Sequence, residues 1–143
     1  MIGVLATAAV LSAAMFTTWA FYITLVEHPA RLDSGAGRAQ FRPSYRRAAP
    51  WQAAFAAIAL VSGAATAGLT KRWPWLAGAL VVGSVIPLTL VVIMPTNRRL
   101  LGADPLADED ALRLLRRWGR LHTARTVLGA VGLLLFLLAL GSR

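Results

Sequence analysis

No cysteine occurs anywhere in the chain, which removes disulfides, thiol nucleophiles, thiolate-bound zinc and iron–sulfur clusters from consideration within it. Acidic residues are scarce: six Asp and Glu stand against 15 Lys and Arg in 143 residues. Histidine occurs only twice, so any imidazole chemistry has two candidates. Charged residues make up 15% of the chain and hydrophobic ones 57%, and mean hydropathy is +0.62. That balance is too apolar for an ordinary soluble domain of this size, and the length allows one compact domain. The net charge of +9 does not point to nucleic acid, because basic nucleic-acid-binding domains lack long apolar runs of the kind found here.

Those runs are what the chain has in place of charge. Residues 2–26, 51–70, 73–94 and 126–140 carry no formal charge. A membrane-crossing helix needs about 20 apolar residues. The first three runs reach that length, and the fourth reads as the end of a longer helix. The N-terminal run lacks a basic leader and exceeds the roughly 7–15 apolar residues of a signal peptide, so it reads as the first span. The reading is an all-α integral membrane four-helix bundle of one domain. Its spans lie at about 2–27, 51–70, 73–95 and 121–141, with cytoplasmic loops at 28–50 and 96–120. Twelve of the 15 cationic residues fall in 27–50 and 95–125. The positive-inside rule then puts that side in the cytoplasm and both termini outside. The expected setting is a multi-pass protein of the bacterial inner (plasma) membrane. Its expected partners are the lipid bilayer and a hydrophobic small molecule, with a homo-oligomer left open. Small residues in 62–68, Ala64 and Gly68 among them, and Gly129 and Gly132 in the last span suit close helix packing. Pro87 should kink the third span or free a carbonyl.

The connections carry the polar chemistry. In the first, "FRPSYRR" (residues 41–47) is either an interfacial segment on anionic headgroups or a lid with Tyr45 turned inward. In the second, Pro95 ends the third span, and Thr96 and Asn97 are set to hydrogen-bond free carbonyls at the helix end. A new helix should start with Asp104 as N-cap and Pro105 at its first position. It is predicted to run unbroken into the last span, extending into the cytoplasm, although Gly119 weakens it.

On that last helix Leu115, Trp118, His122, Arg125 and Gly129 share one face. Trp118 alone reads as an interfacial anchor, and His122 and Arg125 alone as headgroup contacts. The same face, however, continues into the bundle at Gly129 and Gly132 and should point inward. On the first helix Thr17, Phe21, Thr24 and His28 share a face, and His28 should end it, because the residue before a proline tends to leave the helix. Up-and-down topology then brings both histidines to one membrane face. There His28, Asn97, Trp118, His122 and Arg125 are predicted to line one cavity, closed by Tyr45 or Arg46.

Four stretches resemble a known family: "YITLVEHPARL" (22–32), "PSYRRA" (43–48), "VIMPTNRRLL" (92–101) and "RWGRLHTAR" (117–125). They are similar, in order and over nearly the whole chain, to the anthrone-oxygenase-like family of small four-helix membrane proteins, many of whose members are filed as a domain of unknown function. The most specific element is Pro95–x–Asn97 followed by Trp118, His122 and Arg125. The resemblance implies a membrane oxygenase or related redox enzyme acting on an anthrone- or quinol-like aromatic at the cytoplasmic interface. Under it, His122 is the general base. Arg125, Arg31 and Asn97 stabilise the developing oxyanion, and Trp118 and Phe21 form a flat wall. The carbanion then meets dioxygen without a cofactor. An alternative holds copper or iron on His28 and His122 with Glu27 or Asn97. A second function stays open: a non-catalytic membrane protein that binds lipid or a partner subunit. A transporter fits poorly, because no span carries charge in mid-membrane.

Overall fold

The computed structural model describes residues 1–141. Four helices account for nearly all of them: α1 (Ile2–Asp33), α2 (Gly37–Thr70), α3 (Trp73–Leu101) and α4 (Asp108–Gly141). Each is long and apolar enough to cross a membrane, and no strand occurs among the described residues. The helices run up and down around a ring, with α1 and α3 each packed on α2 and α4. The short α1–α2 and longer α3–α4 connections share one end of the bundle, which is therefore rich in arginine. Such a fold fits a multi-pass membrane protein.

Lipid removes the usual hydrophobic drive between helices, so close fit must hold them. Phe136 of α4 is fully buried and lies over Gly63 and Gly78, where an added Cβ would come within 2.6 Å of its ring. Gly132 meets Val82 in the same way, at 2.2 Å. The expectation for Gly129 and Gly132 holds, but in the 62–68 stretch the close approach is at Gly63. Gly68 faces open space.

Both prolines expected to end spans lie instead inside continuing helices, for a shared reason. Residues Ile23–Glu27 form a widened i→i+5 turn, and the His28 N–H reaches the Ile23 carbonyl. Residues Leu88–Ile93 do the same, and the Met94 N–H reaches Thr89. Each wide turn stops just before an X-Pro pair, His28–Pro29 and Met94–Pro95. It absorbs the missing proline N–H and the ring's clash with the preceding turn, so α1 continues to Asp33 and α3 to Leu101. Pro87 likewise follows an interruption of α3 at Ser84.

The region read as a loop at 28–50 is mostly helix. Only residues 34–36 separate α1 from α2, and α2 accommodates Pro43 and Pro50. Tertiary packing of its inner face outweighs the two prolines. At the other connection, α4 starts at Asp108 rather than at Asp104 and Pro105. Arg38 holds the carbonyls of Leu100, Gly102 and Asp104, and Arg42 those of Leu101 and Gly102. These arginines cap the end of α3 in the role expected of Thr96 and Asn97, and they keep 102–107 out of the helix. Asp108, Glu109 and Asp110 then occupy the first turn of α4, where the dipole favours acids.

Candidate functional site

The inward face of α4 is as the sequence suggests: Leu115, Trp118, His122, Arg125 and Gly129 are all buried. Trp118 sits at its centre. The His122 ring stacks on it at 4.7 Å between centroids and the His28 ring tilts against it at 5.3 Å. Phe41 meets it edge-on at 5.1 Å, and the Arg31 guanidinium lies 5.8 Å from its ring centre. The two histidine rings are therefore within about 10 Å of each other.

Room for His28 is made by Gly119, where a Cβ would fall 2.3 Å from His28 Nε2. The glycine that weakens α4 on propensity grounds is what leaves space for the imidazole.

His122 Nδ1 is 3.1 Å from Thr24 Oγ1, and Thr24 Oγ1 is 2.8 Å from Thr126 Oγ1. Thr126 can donate to the His122 carbonyl at 3.2 Å. If each group passes its hydrogen along that line, His122 carries its proton on Nδ1 and keeps the Nε2 lone pair free.

A chamber of about 20 Å³ lies between α1, α2 and α4, room for about one water. Its walls include Arg31, Tyr45, Gln52, Trp118, His122 and Arg125. Arg31 donates to Glu27, which also accepts from Ser44. Arg125 has no carboxylate partner among the described residues. Its Nη2 donates to Gln52 Oε1 at 3.1 Å, and its guanidinium lies 5.5 Å from the Phe16 ring centre. Four buried N–H-bearing atoms on these walls lack partners: Arg31 Nε and Nη1, Gln52 Nε2 and Arg125 Nε. Such a surplus of donors suits an electron-rich oxygen.

Two further cavities flank the chamber. A cleft of about 290 Å³ on the far side of Trp118 is lined by His28, His122, Arg116 and Arg120. A groove of about 170 Å³ between α2 and α3 shares Tyr45, Ala49, Gln52 and Arg125 with the chamber.

The residues proposed from sequence thus separate. His122, Arg125, Trp118, Arg31 and Tyr45 line the chamber. His28 lies behind Trp118 and shares the cleft with His122. Asn97 is fully buried outside both, and its Nδ2 donates to Tyr45 Oη at 2.8 Å. Phe21 and Arg46 do not join them: both are exposed. The buried face of α1 is centred on Ala13, Phe16 and Ala20, which leaves Phe21 at its edge, and Phe41 supplies the aromatic wall instead. On α2, Phe41, Tyr45 and Gln52 turn inward, which turns Arg46 out. Gln52 was not singled out from sequence, although a lone amide beginning an otherwise apolar run is a signal. Among the described residues no group of three or more His, Cys, Asp or Glu is placed to hold a metal. Copper or iron here would rest on two imidazoles, with water or substrate completing its coordination.

Four membrane-length helices enclosing a donor-rich chamber at one end define a small multi-pass membrane protein with a polar interior site. The chain belongs to the anthrone oxygenase family, whose model matches residues 41–135. That stretch contains Tyr45, Gln52, Asn97, Trp118, His122 and Arg125, while His28 and Arg31 precede it. No curated protein and no solved structure matches the chain.

Proposed function

We propose that this protein is a membrane-embedded oxygenase that converts the ring methylene of an anthrone-like aromatic to a carbonyl with dioxygen. The observation that carries this reading is Arg125: a buried guanidinium without a carboxylate, with unpartnered N–H groups on itself and on Gln52, lining one small chamber with His122. The methylene is acidic because its anion delocalises onto the ring carbonyl as a phenolate. His122 Nε2 takes the proton, and Arg125, Gln52 and Arg31 stabilise the oxyanion. Trp118 and Phe41 flank the rings. The carbanion is oxidised by dioxygen: a carbon–oxygen bond forms, the peroxide takes up a proton, and loss of water leaves the second carbonyl. One oxygen atom ends in the quinone and the other in water.

At about 20 Å³ the chamber admits a molecule no larger than water or dioxygen. Tyr45 is the wall that moves to admit a ring, and the bond from Asn97 to its hydroxyl sets its resting position. The arginine-rich end faces the cytoplasm in this reading, with both termini outside, by the positive-inside rule.

The test is oxidation of an anthrone under ¹⁸O₂ by purified protein in nanodiscs, with metal content measured on the same sample. One labelled oxygen per quinone and one dioxygen per anthrone are expected. No protein-dependent oxidation would leave the lipid- or partner-binding reading ahead. Stoichiometric copper or iron, lost in His28→Ala, would replace the cofactor-free route with a metal-assisted one.

A further inference from the structure

The groove between α2 and α3 has no role so far. We propose that it is a lateral access and binding site for a flat apolar ligand bearing one hydrogen-bond-accepting oxygen, taken directly from the bilayer. The inference rests on the oxygenase reading for its purpose but not for its test.

The groove's shape has a local cause. On the α2 side three of its lining residues are alanine, Ala49, Ala53 and Ala56, beside Tyr45 and Gln52, and the alanines remove almost no volume. On the α3 side the interruption at Ser84 and the widened turn at Leu88–Ile93 alter the helix facing it, where Thr89, Leu90 and Met94 form the wall. Its rim is lipid-facing, since Ala53 and Leu90, which both line it, are exposed within apolar spans. Its volume of about 170 Å³ exceeds the chamber's 20 Å³ several-fold, so the groove has room for rings where the chamber has none.

One part of the lining is polar. Gln52 and Arg125 are 3% and 8% exposed, and Gln52 Nε2 and Arg125 Nε have no partner. A lipid acyl chain has nothing to offer these donors, whereas a ring ketone or phenolate does. Tyr45, Ala49, Gln52 and Arg125 border groove and chamber alike, so a ligand seated in the groove is separated from His122 by those side chains. The other route, past Arg116 and Arg120, is lined by cations and suits water and proton exchange rather than an apolar ring.

Benzophenone is a suitable probe, being an apolar diaryl ketone that inserts into C–H bonds on irradiation. Wild-type protein in nanodiscs containing benzophenone is irradiated and the adducts are mapped. Labelling is expected to concentrate on Met94 and its groove neighbours. Ala53→Phe fills the groove from an exposed position, and Ala54→Phe adds the same ring one residue on, outside it. Ala53→Phe should lower Met94 labelling by at least about tenfold, the effect of a 1.4 kcal/mol loss in binding, and Ala54→Phe should leave it unchanged. Size-exclusion profiles check that both variants fold. Labelling spread evenly over lipid-facing residues, or insensitive to Ala53→Phe, would overturn the proposal. So would labelling centred on Arg116–Arg120. A labelled groove in a protein that oxidises nothing would sink the oxygenase reading and leave the groove standing; oxidation that survives Ala53→Phe undiminished would do the reverse.

Discussion

Replacing Gly119 by alanine probes the junction between packing and site. The new Cβ would sit 2.3 Å from His28 Nε2 and 2.7 Å from Cδ2, whereas ordinary contacts begin near 3.4 Å. The imidazole must therefore move by about 1 Å, and the open cleft beside it gives it somewhere to go. Displacement weakens its packing on Trp118, an aromatic contact worth about 0.5–1.5 kcal/mol. Alanine in a helix interior returns about 0.8–1.0 kcal/mol relative to glycine. The two effects nearly cancel, so the unfolding midpoint should change little and stability is the wrong assay. The right one is NMR of the imidazoles, which is simple because the chain has two histidines. In protein labelled with ¹⁵N-histidine, the His28 signals should shift as the ring leaves Trp118, while those of His122, held by Thr24 at 3.1 Å, stay near their wild-type positions. Unchanged His28 signals together with a full 0.8–1.0 kcal/mol stabilisation would refute the placement of His28 over Gly119.

Three other outcomes are expected. Arg125→Met removes a buried cation that has no carboxylate partner among the described residues but leaves Gln52 Oε1 without its donor, a loss of about 1–3 kcal/mol that offsets the gain from removing the charge, so stability should change little, while anthrone oxidation falls about 10²–10³-fold; denaturant unfolding and turnover on one sample check the split. Gln52→Leu leaves the Arg125 guanidinium without its hydrogen-bond acceptor and should cost about 1–3 kcal/mol or more in the same unfolding measurement. Reporter fusions at Gly35 and at the C-terminus should report opposite compartments, because an odd number of spans lies between them; matching compartments would contradict four crossings.

The fold was legible because membrane spans are written in long uncharged runs, and the four runs map onto the four helices. The helix ends were not. Pro29 and Pro95 read as stops because propensity rules treat a proline locally, and no pattern in the sequence announces the widened turns that absorb them. The 28–50 stretch, which contains Pro43 and Pro50, read as a loop, whereas the packing of Phe41, Tyr45 and Gln52 against other helices keeps 37–50 helical. The α4 face was readable from 3.6-residue periodicity, and Trp118, His122 and Arg125 turn inward together as it implies. Phe21 was assigned to an inner face from the same periodicity, but it lies at the margin of the buried stripe. Gln52 escaped notice because it sits one residue inside an apolar run, where an amide passes for the run's edge. Gly119 read as a weakness of the helix, because its purpose lies in a side chain 91 positions earlier in the chain.

The central claim is that His122 takes a proton from a substrate bound against Arg125. It is tested most directly by the anthrone oxidation rate of His122→Ala beside wild type in nanodiscs, with helical content confirmed in both. His122 touches Trp118 of its own helix and Thr24 of α1, one contact among the many that join α1 to α4, so the bundle should remain folded. A fall of about 10²–10⁴-fold in turnover, the usual effect of losing a positioned base, is the expected result. Full activity in the folded His122→Ala protein would contradict the account.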